Sequence, residues 1–354
     1  MQKIAAKNYF IAADIFIIVF LVVFFVFEYR KIPESVAVYV APQSAPEIIL
    51  PKNNPPVSVL FVGDIMLGRH VETLMNIRGK DYPFLLIDPL LRSTDRVVAN
   101  LEGPIIAKHV QTVNKSLRFS FATGTAKLLV DHNISIVSLG NNHLFDFSSV
   151  GFIETENFLD EAGVLHAGNP FDINDDYTAR EEVNGRQFVY ISFNATNPNF
   201  DSKKALSLIQ NTERTDGDFL IVLVHGGEEY KTISNESQHE LYRGFVDAGA
   251  DLVVGHHPHV VQDVEIYRNK AIFYSLGNFI FDQYFSNDVK EGLAVRLTLS
   301  SEEVVYDLLP LESKESQPMQ MNEAEKALFL AKLSARSDIG LSQDIENGTI
   351  ILLR

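Results

Sequence analysis

The sequence predicts an α/β domain over residues 57–312, on three observations. Short apolar runs rich in β-branched residues recur and stop abruptly at polar residues, and stretches with apolar residues three and four apart lie between them. Of the 354 residues, 46% are hydrophobic, enough for a sizeable core. Strands alternating with helices imply a largely buried sheet covered on both faces, with functional groups gathered beyond the carboxyl ends of the strands.

The first element stands outside that domain. Phe10 to Phe27 is an apolar run of eighteen residues interrupted only by Asp14. At about 1.5 Å per residue it reaches roughly 27 Å, close to a hydrocarbon core of about 30 Å. Residues 1–31 therefore read as an N-terminal transmembrane helix and the chain as a single-pass membrane protein. Lys3, Lys7 and the α-amino group precede the run, and Glu28, Arg30 and Lys31 follow it. This small bias favours an inside N-terminus, with the globular domain outside the cytoplasm. The alternative is a cleaved signal peptide. Its apolar region should be shorter, and the first small-x-small site here, Ser35-Val36-Ala37, lies well beyond Phe27. Residues 32–56 carry Pro33, Pro42, Pro46, Pro51, Pro55 and Pro56, which disfavour helix and central strand alike and mark a linker.

Five apolar strands then end in residues capable of chemistry. They are Val57 to Val62 into Gly63-Asp64, Arg96 to Ala99 into Asn100, Ile134 to Leu139 into Gly140-Asn141, Phe219 to Val224 into His225, and Leu252 to Val254 into Gly255-His256. Helical spacing marks Gly124 to Asp131, Gly151 to Ala162 and Gln238 to Ala248. Arg186 to Phe193, Lys270 to Tyr274 and Gly292 to Thr298 read as further strands, the last two assignable to a second sheet. Ser313 to Gln320 reads as a polar linker, Asn322 to Ala335 as a helix and Thr349 to Leu353 as a last strand, together a C-terminal extension over residues 313–354.

Charge and composition narrow the function. A formal net charge of −16 argues against a general binder of nucleic acid or anionic lipid, which needs a broad positive field. With no cysteine there is neither a disulfide framework nor a thiolate metal site, so any metal must sit on imidazole, carboxylate, amide and water. Of ten histidines, His143, His225, His256, His257 and His259 lie in the strand-end motifs. On an extended segment His257 and His259 share one face and His256 points away, so the pair can hold one metal or two adjacent metals. Asp64 and Glu102 offer carboxylates, Asn142 an amide oxygen, and His143 and His225 imidazoles. Plainer readings stand beside these: a turn or cap for Asp64, Asn142 and Asn278, a loop carboxylate capping a backbone amide for Glu102, a solvated surface for Glu228 and Glu229 after His225, and a core or surface position for a lone histidine. Mixed imidazole, carboxylate and amide donors suit Mn, Fe, Zn or Co. One or two such ions are the expected cofactors, and a pair can clamp a phosphoryl group during in-line displacement.

Six motifs, in order from Val59 to Asp282, resemble the CapA-type poly-γ-glutamate capsule biosynthesis family, a branch related to the calcineurin-like metallophosphoesterases. They are Gly63-Asp64-Ile65-Met66-Leu67-Gly68-Arg69, Asn100-Leu101-Glu102-Gly103-Pro104, Asn141-Asn142-His143, His225-Gly226-Gly227-Glu228-Glu229-Tyr230, Gly255-His256-His257-Pro258-His259-Val260 and Ser275-Leu276-Gly277-Asn278-Phe279. The resemblance implies a sandwich of two mixed β-sheets flanked by helices, with a binuclear centre at its strand ends. Asp64 and His259 would hold one metal, Asn142, His225 and His257 the other, with Glu102 bridging and His143 as the acid or transition-state stabiliser. Two departures stand out. The usual Asp-x-His is Asp64-Ile65-Met66 here, and the usual Gly-Asp is replaced by Asn100 and Glu102, so the first metal site would be weak, empty or filled differently.

The resemblance implies a metal-dependent hydrolase-type protein in biosynthesis, export or attachment of an anionic poly-γ-glutamate-like polymer. The alternatives are a non-catalytic partner of a membrane polymer synthase and a generic phosphoesterase acting on nucleotides or sugar phosphates. Arg69, Asn100, Glu229 and Asn278 are the candidate substrate contacts. An anionic ligand needs such local groups, because the net charge repels it at long range.

Overall fold

In the computed structural model, the described residues are 54–354 apart from 216, together with residues 19, 21–26 and 28, which are helical. The chain divides into two compact units, Met1–Lys52 and Asn53–Arg354. Of the transmembrane span expected over Phe10–Phe27 only residues 19 and 21–26 are described; the rest of it and most of the linker fall outside the described residues. Among the described residues no helix is long and apolar enough to cross a membrane.

The second unit opens with β1 (Val57–Ile65), α1 (Arg69–Arg78), α2 (Asp88–Leu91), β2 (Arg96–Leu101), α3 (Thr125–Asp131), β3 (Ile134–Ser138), α4 (Ser148–Ala162) and β4 (Leu165–Ala167). Next come β5 (Ala179–Val183), β6 (Arg186–Asn194), α5 (Ser202–Asn211), β7 (Phe219–His225), α6 (Glu236–Ala248), β8 (Leu252–His256), β9 (Val264–Tyr267) and β10 (Lys270–Phe273). The chain closes with β11 (Asn278–Ile280), β12 (Glu291–Leu299), β13 (Glu303–Lys314), β14 (Gln317–Gln320), α7 (Glu323–Arg336), α8 (Ser342–Asn347) and β15 (Thr349–Leu353).

These strands build two mixed sheets. The nine-stranded sheet runs β14-β13-β12-β1-β2-β3-β4, with β11 on β1 and β15 on β13; the six-stranded sheet runs β5-β6-β7-β8-β10-β9. Strand periodicity separates three cores. Val59 and Phe61 of β1 meet Ile221 and Leu223 of β7 in the layer between the sheets. Leu60 and Val62 face the other way, towards Val71 of α1, Leu129 of α3 and Phe152 of α4. Leu220, Val222 and Val224 of β7 pack on Ile209 of α5 and on Tyr242 and Phe245 of α6. Because both faces are covered, the central strands read as continuous apolar runs, and each buried aliphatic side chain contributes about 1.5–3 kcal/mol.

Parallel pairing of β1, β2 and β3, and of β6, β7 and β8, sends their carboxyl ends to one edge of the sandwich. Gly63 precedes Asp64 for a steric reason. A Cβ there would lie 1.9 Å from Gly277 O, on the segment whose carbonyl accepts from Asp64 N at 3.1 Å.

Three sequence readings change. Lys270–Phe273 and Glu291–Leu299 lie in different sheets. The stretch Ser313 to Gln320 is a β13–β14 hairpin rather than a linker. Glu315 and Ser316 turn at φ 48° and 63°, where asparagine and glycine are the usual signal. The boundary expected near residue 312 therefore falls inside β13. The C-terminal segment is built into the domain: β15 pairs with β13, and Phe329, Leu330 and Leu333 of α7 join the core between the sheets.

Candidate metal centre

The strand ends bring six residues together. Asp64 ends β1, Glu102 follows β2, Asn142 follows β3, His225 ends β7, and His257 and His259 follow β8. Ligand atoms of Asp64, Glu102 and His225 lie within 4.8 Å of one another, as do those of Glu229, His257 and His259. The two groups interlock. His259 Nδ1 is 3.3 Å from Asp64 Oδ2 and its Nε2 is 3.7 Å from Glu102 Oε1. His225 Nε2 is 2.8 Å from Asn142 Oδ1, and the rings of His225 and His257 are 4.8 Å apart. His256 turns the other way, with Nε2 3.3 Å from Val62 O. His257 and His259 hold positive φ values of 98° and 57°, a strained backbone that aims both rings at one centre.

Amides set the remaining orientations. Asn100 Nδ2 donates to Asp64 Oδ1 at 2.8 Å and lies 3.2 Å from His225 Nδ1, joining the two sheets. Asn141 Nδ2 in turn donates to Asn100 Oδ1 at 3.0 Å. Asn278 Oδ1 lies 3.0 Å from His259 Nδ1, while its Nδ2 donates to Gln283 and to Val289 O. Both Asn100 and Asn278 are buried, so their amides serve Asp64, His225 and His259.

The electrostatics are those of charge gathered without solvent. Burial pushes the Glu102 carboxyl well above the usual range, against the pull of His259 and with Asp64 and Glu229 adding to the push. Burial acts to raise Asp64 too, but His259, His256 and Asn100 together hold it below its ordinary value. Burial would lower His259, yet Glu102 and Asp64 lift it to about 9. Burial and the neighbouring imidazoles carry His225 well down and His257 to about 4. Those two rings are therefore neutral at pH 7, the form that binds a cation.

These residues fit a divalent ion. Glu102 is fully buried, yet neither of its oxygens has a hydrogen-bond partner, and the same is true of His257 Nδ1. A buried carboxylate left so is costly unless a cation meets it.

A cleft of about 560 Å³ opens beside this centre, lined by Arg69, His143, Glu229, His259 and the aromatic rings of Phe119, Tyr230, Phe281 and Phe285. His143 Nδ1 donates to Asp146 Oδ2 at 2.8 Å, its ring stacks on Phe119 at 4.0 Å, and its Nε2 is 3.8 Å from Glu102 Oε1. Arg69 lies over Phe119 and Phe281, pairs with Asp282 and donates to Ser116 O at 2.9 Å. Met66 is buried in the core, and its Sδ accepts from Gly68 N at 3.2 Å. Sequence reading missed Asp146, Phe119 and Asp282, and placed Asn141 in its motif without a role of its own. Asp146 stands three residues after His143 and was detectable as a turn partner, whereas Phe119 and Asp282 reach the site only through tertiary folding.

The family model for bacterial capsule synthesis protein PGA_cap matches residues 58–283. Capsule biosynthesis protein CapA of Bacillus anthracis is 30% identical over 294 residues, which cover 77% of this chain and 71% of that protein. PGA biosynthesis protein CapA of Bacillus subtilis (strain 168) is 30% identical over 277 residues, covering 74% and 73%. A solved structure described as a novel phosphatase from Mycoplasma pneumoniae is 12% identical, with 75% of this chain and 92% of that chain covered and a TM-score of 0.44.

Proposed function

The chain belongs to the bacterial capsule synthesis protein family PGA_cap, and on that premise we propose that it serves the biosynthesis, export or attachment of a poly-γ-glutamate-like polymer. It does so through a divalent-metal hydrolase-type site, on a domain held outside the cytoplasm by a single N-terminal span and working beside a membrane polymer synthase. The observation that carries this reading is Glu102: a fully buried carboxylate with no hydrogen-bond partner at either oxygen, amid Asp64, His225, His257 and His259.

Asp64, Glu102, Asn142, His225, His257 and His259 would hold one or two ions of the Mn, Fe, Zn or Co kind. Such ions, when bound, supply Lewis-acid polarisation of the scissile group. The chain's own residues do the rest. Asp146 fixes the proton on His143 Nδ1, and Phe119 holds the ring, so Nε2 is presented to the centre and can hold or deliver a proton there. Asn100, Asn141 and Asn278 are positioning residues that keep Asp64, His225 and His259 in place. Lys115 and Arg69 on the cleft wall supply local positive charge for an anionic chain that the −16 net charge would otherwise repel.

A second reading, a non-catalytic accessory partner of the synthase, is favoured by Met66. Its side chain lies in the apolar core where the resemblance expects an imidazole ligand. Full-length protein incubated with Mn separates the readings. Cleavage of amide-linked poly-γ-glutamate supports the first, and cleavage of aryl phosphates alone supports a generic phosphoesterase. Bound metal with neither substrate cleaved overturns catalysis and leaves the accessory role.

A further inference from the structure

Two adjacent carboxylates follow the glycine pair after β7, and their surroundings differ. Both are exposed; Glu228 lies 3.6 Å from Lys231 Nζ. Glu229 turns into the cleft, and its carboxylate comes within 4.8 Å of ring nitrogens of His257 and His259. Among the described residues Glu229 has no cationic lysine or arginine partner.

The backbone fixes this difference. Gly227 sits at φ 106° against Gln238, where a Cβ would lie 2.5 Å from Nε2. Tyr230, at φ 62°, donates its N–H to Pro258 O at 2.8 Å, fastening this loop to the residue between the two histidines. Gln262 Nε2 donates to Lys231 O at 2.9 Å and holds the far side. The same hydrogen bonds therefore set the positions of Glu229, His257 and His259 together. His257 is buried, and its Nδ1 has no hydrogen-bond partner.

We propose that Glu229 is a metal ligand, completing with His257 and His259 a set of two imidazoles and one carboxylate on the solvent side of the centre. This rests on the reading that the strand ends form a metal site. It assigns Glu229 to the ion rather than to substrate. It also supplies a donor from the loop after β7, in a centre where the position two residues after Asp64 carries the sulfur of Met66, buried and turned towards Gly68. Two imidazoles and a carboxylate suit Mn, Fe(II) or Zn and leave positions open for water or substrate.

The test is manganese binding to full-length protein, measured by isothermal titration and by elemental analysis after dialysis, for wild type, Glu229→Gln and Glu228→Gln. Far-UV circular dichroism checks each fold. Glu229→Gln is expected to weaken binding, or to remove one equivalent, by at least the ~10–100-fold that loss of an outer-shell partner causes. Glu228→Gln is expected to match wild type. Wild-type affinity and stoichiometry in Glu229→Gln, or an equal loss in Glu228→Gln, overturns the assignment while leaving the metal centre intact. A wild-type protein that takes up no manganese, zinc or iron overturns the metal-centre reading itself, and this assignment with it.

Discussion

Replacing Glu102 by glutamine in metal-free protein is expected to raise stability at pH 7, the opposite of the usual effect of a buried substitution. Glu102 is fully buried, and both its oxygens lack hydrogen-bond partners. Leaving a buried polar group so costs about 1–3 kcal/mol, and more if it is charged. Its carboxyl is raised well above the ordinary range by burial, so the folded state disfavours the ionised form. Stability from this group is complete below its ordinary value near 4.5 and is lost as pH rises through the folded value. Glutamine keeps the cost of an uncharged buried polar group and removes only the ionisation penalty; over a domain of roughly 300 residues the melting entropy is about 0.6 kcal/mol/K, so each 1 kcal/mol of that penalty removed lifts Tm by about 2 °C. The gain should vanish near pH 4. With Mn at about 100 times its Kd that lead narrows, because wild type gains about 2.7 kcal/mol, or about 4 °C, and the variant gains less. Differential scanning calorimetry with and without EDTA reads all three effects. A metal-free Glu102→Gln protein that melts below wild type at pH 7 would refute the reasoning, since the carboxylate would then be satisfied within the fold.

Three further outcomes are expected. Glu156 is raised to about 7 by burial on α4 and by Asp160, so its stabilising effect is complete below about 4.5 and lost as pH climbs through 7. Thermal melts of Glu156→Gln should match wild type at pH 4 and lie above it at pH 8. Asp146→Asn should slow turnover of whichever substrate is cleaved by ~10²–10⁴-fold, with metal content unchanged, because His143 loses the partner that fixes its proton. Equal turnover would remove His143 from the chemistry. Leu223→Ala, in the core between the sheets, should lower stability by about 2–5 kcal/mol in a chemical-denaturation series, without altering metal affinity.

The buried strands were legible in the sequence because burial on both faces makes them uninterrupted apolar runs, and their ends were marked by the change to polar residues. Other elements were masked by their chemistry. α1 is mostly polar, starts without a side-chain cap and enters through Arg69 at φ 50°, so no start signal marks it. The β13–β14 hairpin hides behind Glu315 and Ser316, which take left-handed conformations without glycine or asparagine. The site residues at strand ends were readable for the same reason as the strands. Arg69 was readable as a residue, but its pairing with Asp282 spans most of the chain, and nothing local announces it. Glu229 could not be told from Glu228 by sequence: both are exposed, and it is the fold, with Tyr230 N–H fastened to Pro258 O, that brings Glu229 within reach of the two histidines.

The central claim is that the β1, β2, β7 and β8 strand ends form a metal centre. Anomalous diffraction from crystals of the full-length protein grown with manganese tests it most directly. One or two anomalous peaks are expected among Asp64, Glu102, His225, His257 and His259. Well-ordered crystals with no peak there, or with manganese bound only elsewhere, would contradict it.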